Sequence, residues 1–212
     1  MRRTSLALVL ASSVLGITAA GQAVNASAAQ PAVAQAAAAP AVASGDYKLD
    51  KSHAKIVWGI SHFGFSTYYG EFTRFDAQLK LDVANPANSK LEATIDATSL
   101  STNDAKLDAH LNSADFFETA KFPQARFVST AVHRTGAKSA HVIGNLTLHG
   151  VTRPVELAVT FNGAGRNVAK VPVAGFSAEG TIKRSDFGIN AYLPALGDEV
   201  ALKISGEFNP AT

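Results

Sequence analysis

The sequence predicts an all-β fold: an extended antiparallel barrel of about eight strands, with one short helical insertion acting as its lid. Three observations predict it. Apolar and polar residues alternate with period two through most of the chain after residue 46, so each strand has one apolar and one wet face. The links between these runs are hairpin-like, with no regular β-α-β alternation. One stretch, around His110–Phe127, has helical rather than strand spacing. One-sided strands must bury their apolar faces against something, and either a sandwich or a closed barrel does so. The run Thr67–Val83 exceeds the usual 3 to 10 residues of a strand, which favours a tall barrel.

The N-terminus reads as a leader. Arg2 and Arg3 precede an apolar run from Leu6 to Ile17 and then small residues, so residues 1–26 are expected to be a secretory signal peptide. Cleavage is compatible with Ala20, Ala23, Ala26 or Ala28, and the residues around Arg2-Arg3 do not complete a twin-arginine signal. The apolar run is shorter than the ~20 residues of a membrane span, and no cysteine follows it to carry a lipid anchor. Residues 27–45, rich in Ala and Pro, read as a linker, and 46–212 as a single domain. These features predict a periplasmic protein, an extracellular one being compatible, without stable membrane insertion after signal removal. With no cysteine, the domain must rest on its hydrophobic core.

Removing Arg2 and Arg3 from the 19 basic residues leaves 17 against 17 acidic ones. A near-neutral chain lacks the basic footprint of a nucleic-acid binder.

Within the domain, Ile56, Trp58 and Ile60 form the heavy face of a first strand. Next come Tyr69, then Phe75, Ala77, Leu79, Leu81 and Val83, with Gly70 and the out-of-step Phe72 marking a bend or bulge. Asn85-Pro-Ala-Asn88 turns the chain into Leu91, Ala93 and Ile95. In the insertion, Thr102 or Asn103 is the expected N-cap, and Leu107, His110, Leu111 and Ala114 share a helix face. A second turn is expected to start at Asp115, its carboxylate capping a backbone N–H near Glu118, and to stop at Pro123. Arg126–Val132 is a strand. His149-Gly150 then joins 141–148 to Val151–Phe161 in a hairpin, and the faces Phe176, Ala178, Gly180, Ile182 and Val200, Leu202, Ile204, Gly206, Phe208 complete the series.

Four motifs, in order, resemble the YceI-like family of bacterial lipocalin-like, polyisoprenoid-binding proteins. They are Gly59-Ile-Ser-His-Phe-Gly-Phe-Ser66 with Gly70-Glu-Phe-Thr-Arg-Phe75; His110-Leu-Asn-Ser-Ala-Asp-Phe-Phe117 with Lys121-Phe-Pro-Gln-Ala-Arg-Phe-Val-Ser-Thr130; Gly144-Asn-Leu-Thr-Leu-His-Gly-Val-Thr-Arg-Pro-Val155; and Ile182-Lys-Arg-Ser-Asp-Phe-Gly-Ile189 with Gly197-Asp-Glu-Val200. The resemblance covers about Tyr47 to Phe208 and implies a lipocalin-like barrel whose long apolar cavity holds a polyprenyl chain, isoprenoid quinone or similar lipid. A homodimer is compatible with the family. Two departures stand out. Position 107 is Leu where the family usually carries a charge, and Gly163–Val173 lacks a Trp-Gly segment found in some members.

A prenyl tail has almost no hydrogen-bonding groups, so its recognition requires apolar lining. Burial at ~0.8 kcal/mol per CH₂ gives at most ~4 kcal/mol per five-carbon unit, and the ~0.3 kcal/mol per atom of drug-sized ligands gives ~1.5. The candidate lining residues are Trp58, Ile60, Phe65, Leu79, Leu81, Phe127, Leu146, Leu148, Phe176 and Phe187, which a solid core would use equally, with Leu111, Phe116 and Phe117 from the lid. His62 and His110 match family positions and are the head-group candidates, although a histidine bonded to nearby backbone would look the same.

The six histidines show no metal-ligand spacing, and no cofactor or metal is expected beyond a bound lipid. No G-x-S-x-G, cysteine or carboxylate pair signals a catalytic centre, and Ser66, Ser129 and Ser185 have no signalled base. Arg184 and Asp186 read as a structural turn pair rather than a dyad, and Arg126 and Arg153 as solvated. A lipid carrier without chemistry is therefore the expected function, with a solid-core interaction module as the rival.

Overall fold

The computed structural model describes residues 42–211. The expected signal peptide and most of the expected linker lie outside them. The last linker residues are tied to the domain: Val42 packs on the lower core, the Tyr47 hydroxyl donates to Ala43 O (2.8 Å), and Val83 N donates to Ser44 Oγ (2.9 Å).

Among the described residues ten strands form in chain order: β1 Gly45–His62, β2 Ser66–Phe72, β3 Phe75–Leu81, β4 Lys90–Asp96, β5 Leu100–Ser101, β6 Gln124–Arg134, β7 Ser139–Leu148, β8 Val151–Arg166, β9 Pro172–Lys183 and β10 Leu196–Pro210. All pairings are antiparallel. The sheet closes through the pairing of β10 with β1, making a barrel of the eight strands β1, β3, β4, β6, β7, β8, β9 and β10. Closure rules out the sandwich left open by the strand pattern.

β1 serves two partners. Its first residues pair with β3 (Gly45↔Leu81) and its last with β2 (His62↔Ser66), while its other edge runs along β10. The long strand expected over 67–83 is therefore two strands separated by Thr73 and Arg74. The break is held from across the fold: Thr73 N donates to Ser99 O (3.1 Å), Arg74 N to Ser99 Oγ (3.0 Å), and the Arg74 guanidinium pairs with Asp96 (2.8 Å). It also changes the strand's phase. Tyr68 and Phe72 face inward before it, and Phe75, Ala77, Leu79 and Leu81 after it, so Tyr69 lies outside.

Gly70, the expected bend, has a different role. A Cβ there would lie 2.1 Å from Cζ2 of Trp58, so the indole is laid flat against the β2 backbone. Gly70→Ala is expected to cost about 1–3 kcal/mol by forcing Trp58 inward. Because Trp58 is the only tryptophan, its emission reports the displacement during denaturant unfolding.

The lid is a helix, α1 Ala105–Leu111, followed by a stitched turn. Its N-cap is Asp104, whose side chain accepts from Lys106 N and Leu107 N, rather than Thr102 or Asn103. Thr102 is instead bound to Asp108, whose Oδ1 accepts from both its N–H and its hydroxyl at 2.7 Å. The second turn is organised by Ser113, whose carbonyl accepts from Phe116 N and Glu118 N. The Asp115 carboxylate lies 3.2 Å from His110 Nε2 instead of capping. No helix among the described residues is long and apolar enough to cross a membrane.

Candidate functional site

The barrel is hollow. On β10 the outward residues Ala201 and Lys203 are exposed, yet the inward Leu202 and Ile204 are only partly buried, because they face open interior rather than packed side chains. One cavity of about 790 Å³ runs along the barrel, within the size range of small-molecule sites. Its lining on β10 extends from Leu196 to Phe208. At ~3.3 Å per residue and a barrel tilt of ~40°, that is roughly 30 Å of axis.

Most of the expected lining residues reach this space. Trp58, Ile60, Leu79 and Leu81 come from β1 and β3, Phe127 from β6, Leu146 and Leu148 from β7, and Phe176 from β9. From the lid, Leu111, Phe116 and Phe117 line it too. Phe117 meets Phe72 edge-on (5.8 Å between centroids), and Phe116 stacks on Tyr192 (6.0 Å). Leu107 also lines the cavity, adding to its apolar wall.

Two expectations fail. Phe65 is 90% exposed at the tip of the β1–β2 hairpin, because Phe63 and Gly64 turn the chain with positive φ (51° and 72°) and carry the tip clear of the barrel. Phe187 is buried at 1% exposure but lies in the wall, in a 3₁₀ turn over Arg184–Phe187 whose Gly188 cap is left-handed. Its carbonyl lies 3.0 Å from His149 Nδ1.

Both head-group candidates border the same end of the cavity. His62 and His110 line it together with Phe63 and Tyr192, and the His110 ring packs edge-on against Phe116 (5.2 Å) and Tyr192 (6.1 Å). The opposite end is charged: Lys90, Arg134 and Lys138 line it, with Asp82 bound to Asn85 N and Asn88 Nδ2. Arg134 was not expected there. A register shift between Ser129 and Ala131 reverses the phase of β6 and brings Val132 and Arg134 to the cavity.

Arg184 is the buried cation of the upper wall, 4% exposed. Its Nε, Nη1 and Nη2 donate to the carbonyls of Gly197 (2.8 Å), Ile189 (2.9 Å) and Leu196 (3.2 Å). Asp186 is not its partner. Removal from water lowers the guanidinium's pKa, and the charge of Asp198 opposes this. Asp198 in turn accepts from Ser185 N (2.9 Å) and Ser185 Oγ (2.7 Å). Desolvation raises the Asp198 pKa, but these bonds and the nearby cations outweigh it and hold the carboxyl below its ordinary value. A depressed carboxyl stabilises the fold above its unfolded pKa, and that contribution disappears as pH falls through the folded value. Urea titrations at decreasing pH below about 4 are expected to show a shallower loss of stability in Asp198→Asn than in the parent.

Ser129 and Arg126 have structural partners. Leu91 N donates to Ser129 Oγ (2.8 Å), and Arg126 pairs with Glu92 (2.7 Å). One grouping was invisible to spacing: Asp50, His53 and Glu207 bring ligand-type atoms within 4.8 Å of one another, since β10 pairs Glu207 with Asp50. The bond between His53 Nδ1 and Asp50 (3.0 Å) lowers the Asp50 pKa and raises that of His53.

The family model for the YceI-like domain matches residues 47–208, nearly all of the barrel. The chain belongs to the YceI-like family. Among curated relatives, a UPF0312 protein of Pseudomonas putida is 47% identical over 148 residues, 69% of this chain and 77% of that one. A UPF0312 protein of Pseudomonas fluorescens is 45% identical over 166 residues, 77% and 86% of the two chains. Among solved structures, BcnA of Burkholderia cenocepacia superposes with a TM-score of 0.69 at 28% identity, covering 77% of this YceI-like chain and 99% of BcnA. The Campylobacter jejuni YceI protein gives 0.65 at 30% identity, covering 72% and 91%. A polyisoprenoid binding domain from Saccharophagus degradans, implicated in plant cell wall breakdown, gives 0.57 at 16% identity over 78% and 98%, a likeness of fold alone.

Proposed function

We propose that this YceI-like protein is an exported, non-catalytic carrier or store for a polyisoprenoid, an isoprenoid quinone or a similar long-chain lipid in the periplasm. The observation that carries the reading is the cavity: about 790 Å³ of apolar space running along the barrel, with polar groups concentrated at its two ends. Such a site holds a tail by area removed from water and leaves the rim to orient a head group. The name of the Saccharophagus degradans domain is consistent with it, and the leader-like residue pattern of Arg2 to Ile17 supports export. His62 and His110 are the groups proposed to face the head at the upper end.

The reading predicts that affinity climbs with tail length. Prenyl alcohols of increasing length, titrated against the purified protein, are expected to bind about tenfold more tightly per added five-carbon unit until the cavity is filled. Affinity independent of length would overturn it.

A further inference from the structure

The upper rim carries apolar surface that folding leaves in water. All seven residues Ser61–Thr67 around the β1–β2 hairpin are exposed. Phe65 is 90% exposed and Phe63 48%, while Tyr192, from the segment joining the 3₁₀ turn to β10, is 55% exposed. The two sides of this rim are joined through the backbone: Phe63 N donates to Ala195 O at 3.0 Å, and Phe65 N to His62 O at 3.0 Å closes the hairpin. No Asp, Glu, Lys or Arg occurs between Lys55 and Glu71. Phe63 and Tyr192 also line the cavity, so this rim is one of its mouths.

A charge-free tip bearing two phenylalanines, with a tyrosine opposite, has the composition of a membrane interface anchor. Another protein is a poorer fit, because a stable protein contact needs about 800 Å² from each side and the hairpin is a narrow projection. A bilayer accepts a projection of that shape, and it is also the source of a water-insoluble cargo. We propose that Phe63, Phe65 and Tyr192 form a bilayer-docking rim, which sets the upper mouth of the cavity against the membrane so that a lipid tail passes between bilayer and barrel without crossing water. The inference rests on the lipid-carrier reading for its purpose, but the docking itself is a separate measurement.

The chain is free of cysteine, so one introduced thiol gives one label. The exported protein, purified after removal of the expected leader, is labelled with an environment-sensitive fluorophore at Ser66→Cys, at the tip, or at Ala87→Cys, at the opposite end, and mixed with phosphatidylcholine vesicles. The expected result is a blue shift at Ser66 only, nearly unchanged by salt because the hairpin tip itself carries no Asp, Glu, Lys or Arg. Phe65→Ser, which lies outside the cavity, is expected to raise the vesicle concentration needed for a half-maximal shift about tenfold while leaving prenyl-lipid affinity in vesicle-free solution unchanged. No shift at Ser66, a salt-sensitive shift at Ala87 instead, or an unaltered response in Phe65→Ser would overturn the proposal. A protein that takes up prenyl lipid without a Ser66 shift refutes the docking rim alone. A Ser66 shift in a protein that takes up none refutes the carrier reading and leaves docking standing.

Discussion

Leu146→Trp is expected to weaken binding of long prenyl lipids about a hundredfold while costing the fold little. Leu146 lies on β7 with its side chain toward the cavity and is only partly buried, so a larger side chain there extends into open space. Leu148, two residues on, also lines the cavity but is 8% exposed, and tryptophan there would overpack the core. An indole across the channel denies the tail roughly two five-carbon units, each worth ~1.5 kcal/mol, and that is about a hundredfold in affinity. Short prenyl alcohols that fit on one side of the obstruction should bind nearly as before. Parallel titrations with a short and a long alcohol, alongside urea unfolding, separate a blocked channel from a damaged fold. Equal weakening for both lengths would show that the cavity does not work as a channel.

Arg184→Met is expected to remove about 3–4 kcal/mol of stability and lower Tm by about 10 °C. Methionine replaces much of the packing volume but donates no hydrogen bond, so the carbonyls of Ile189, Leu196 and Gly197 lose the donor they share. Arg184→Lys should recover only part of the loss, since one ammonium does not reproduce the three-way fork. The effect should also reach the site. The carbonyls that Arg184 holds bracket the segment carrying Tyr192, so hydrogen exchange is expected to accelerate over 188–197 before it does on β8.

The strands were legible where burial repeats with period two and nothing interrupts it. Val155, Leu157, Val159 and Phe161 on β8, and Val200 to Phe208 on β10, all turn inward as their alternation requires. Reading failed where distant hydrogen bonds decide the local phase. Ser99 holds the break at Thr73–Arg74 and so puts Tyr68 inside and Tyr69 outside, although the two are neighbours of the same type. The lid's cap moved to Asp104 because Asp108, six residues from Thr102, binds that threonine. Of the site itself, the apolar wall and both histidines were visible. Phe65 was misplaced because its composition matches a wall residue and only the turn at Phe63-Gly64 takes it outside. The charged lower mouth was missed because the β6 register shift that turns Arg134 inward leaves no mark in the residue pattern.

The central claim, that the cavity belongs to a long-chain lipid, is tested most directly by what the protein carries out of the cell. The chain would be expressed in a bacterium from residue 1, purified without detergent, and measured by native and denaturing mass spectrometry with lipid extraction. The predicted result is a stoichiometric adduct in the native spectrum that disappears on denaturation and is recovered in the extract as a prenyl or quinone lipid. A bare protein mass, together with failure to take up added prenyl lipid, would contradict the account.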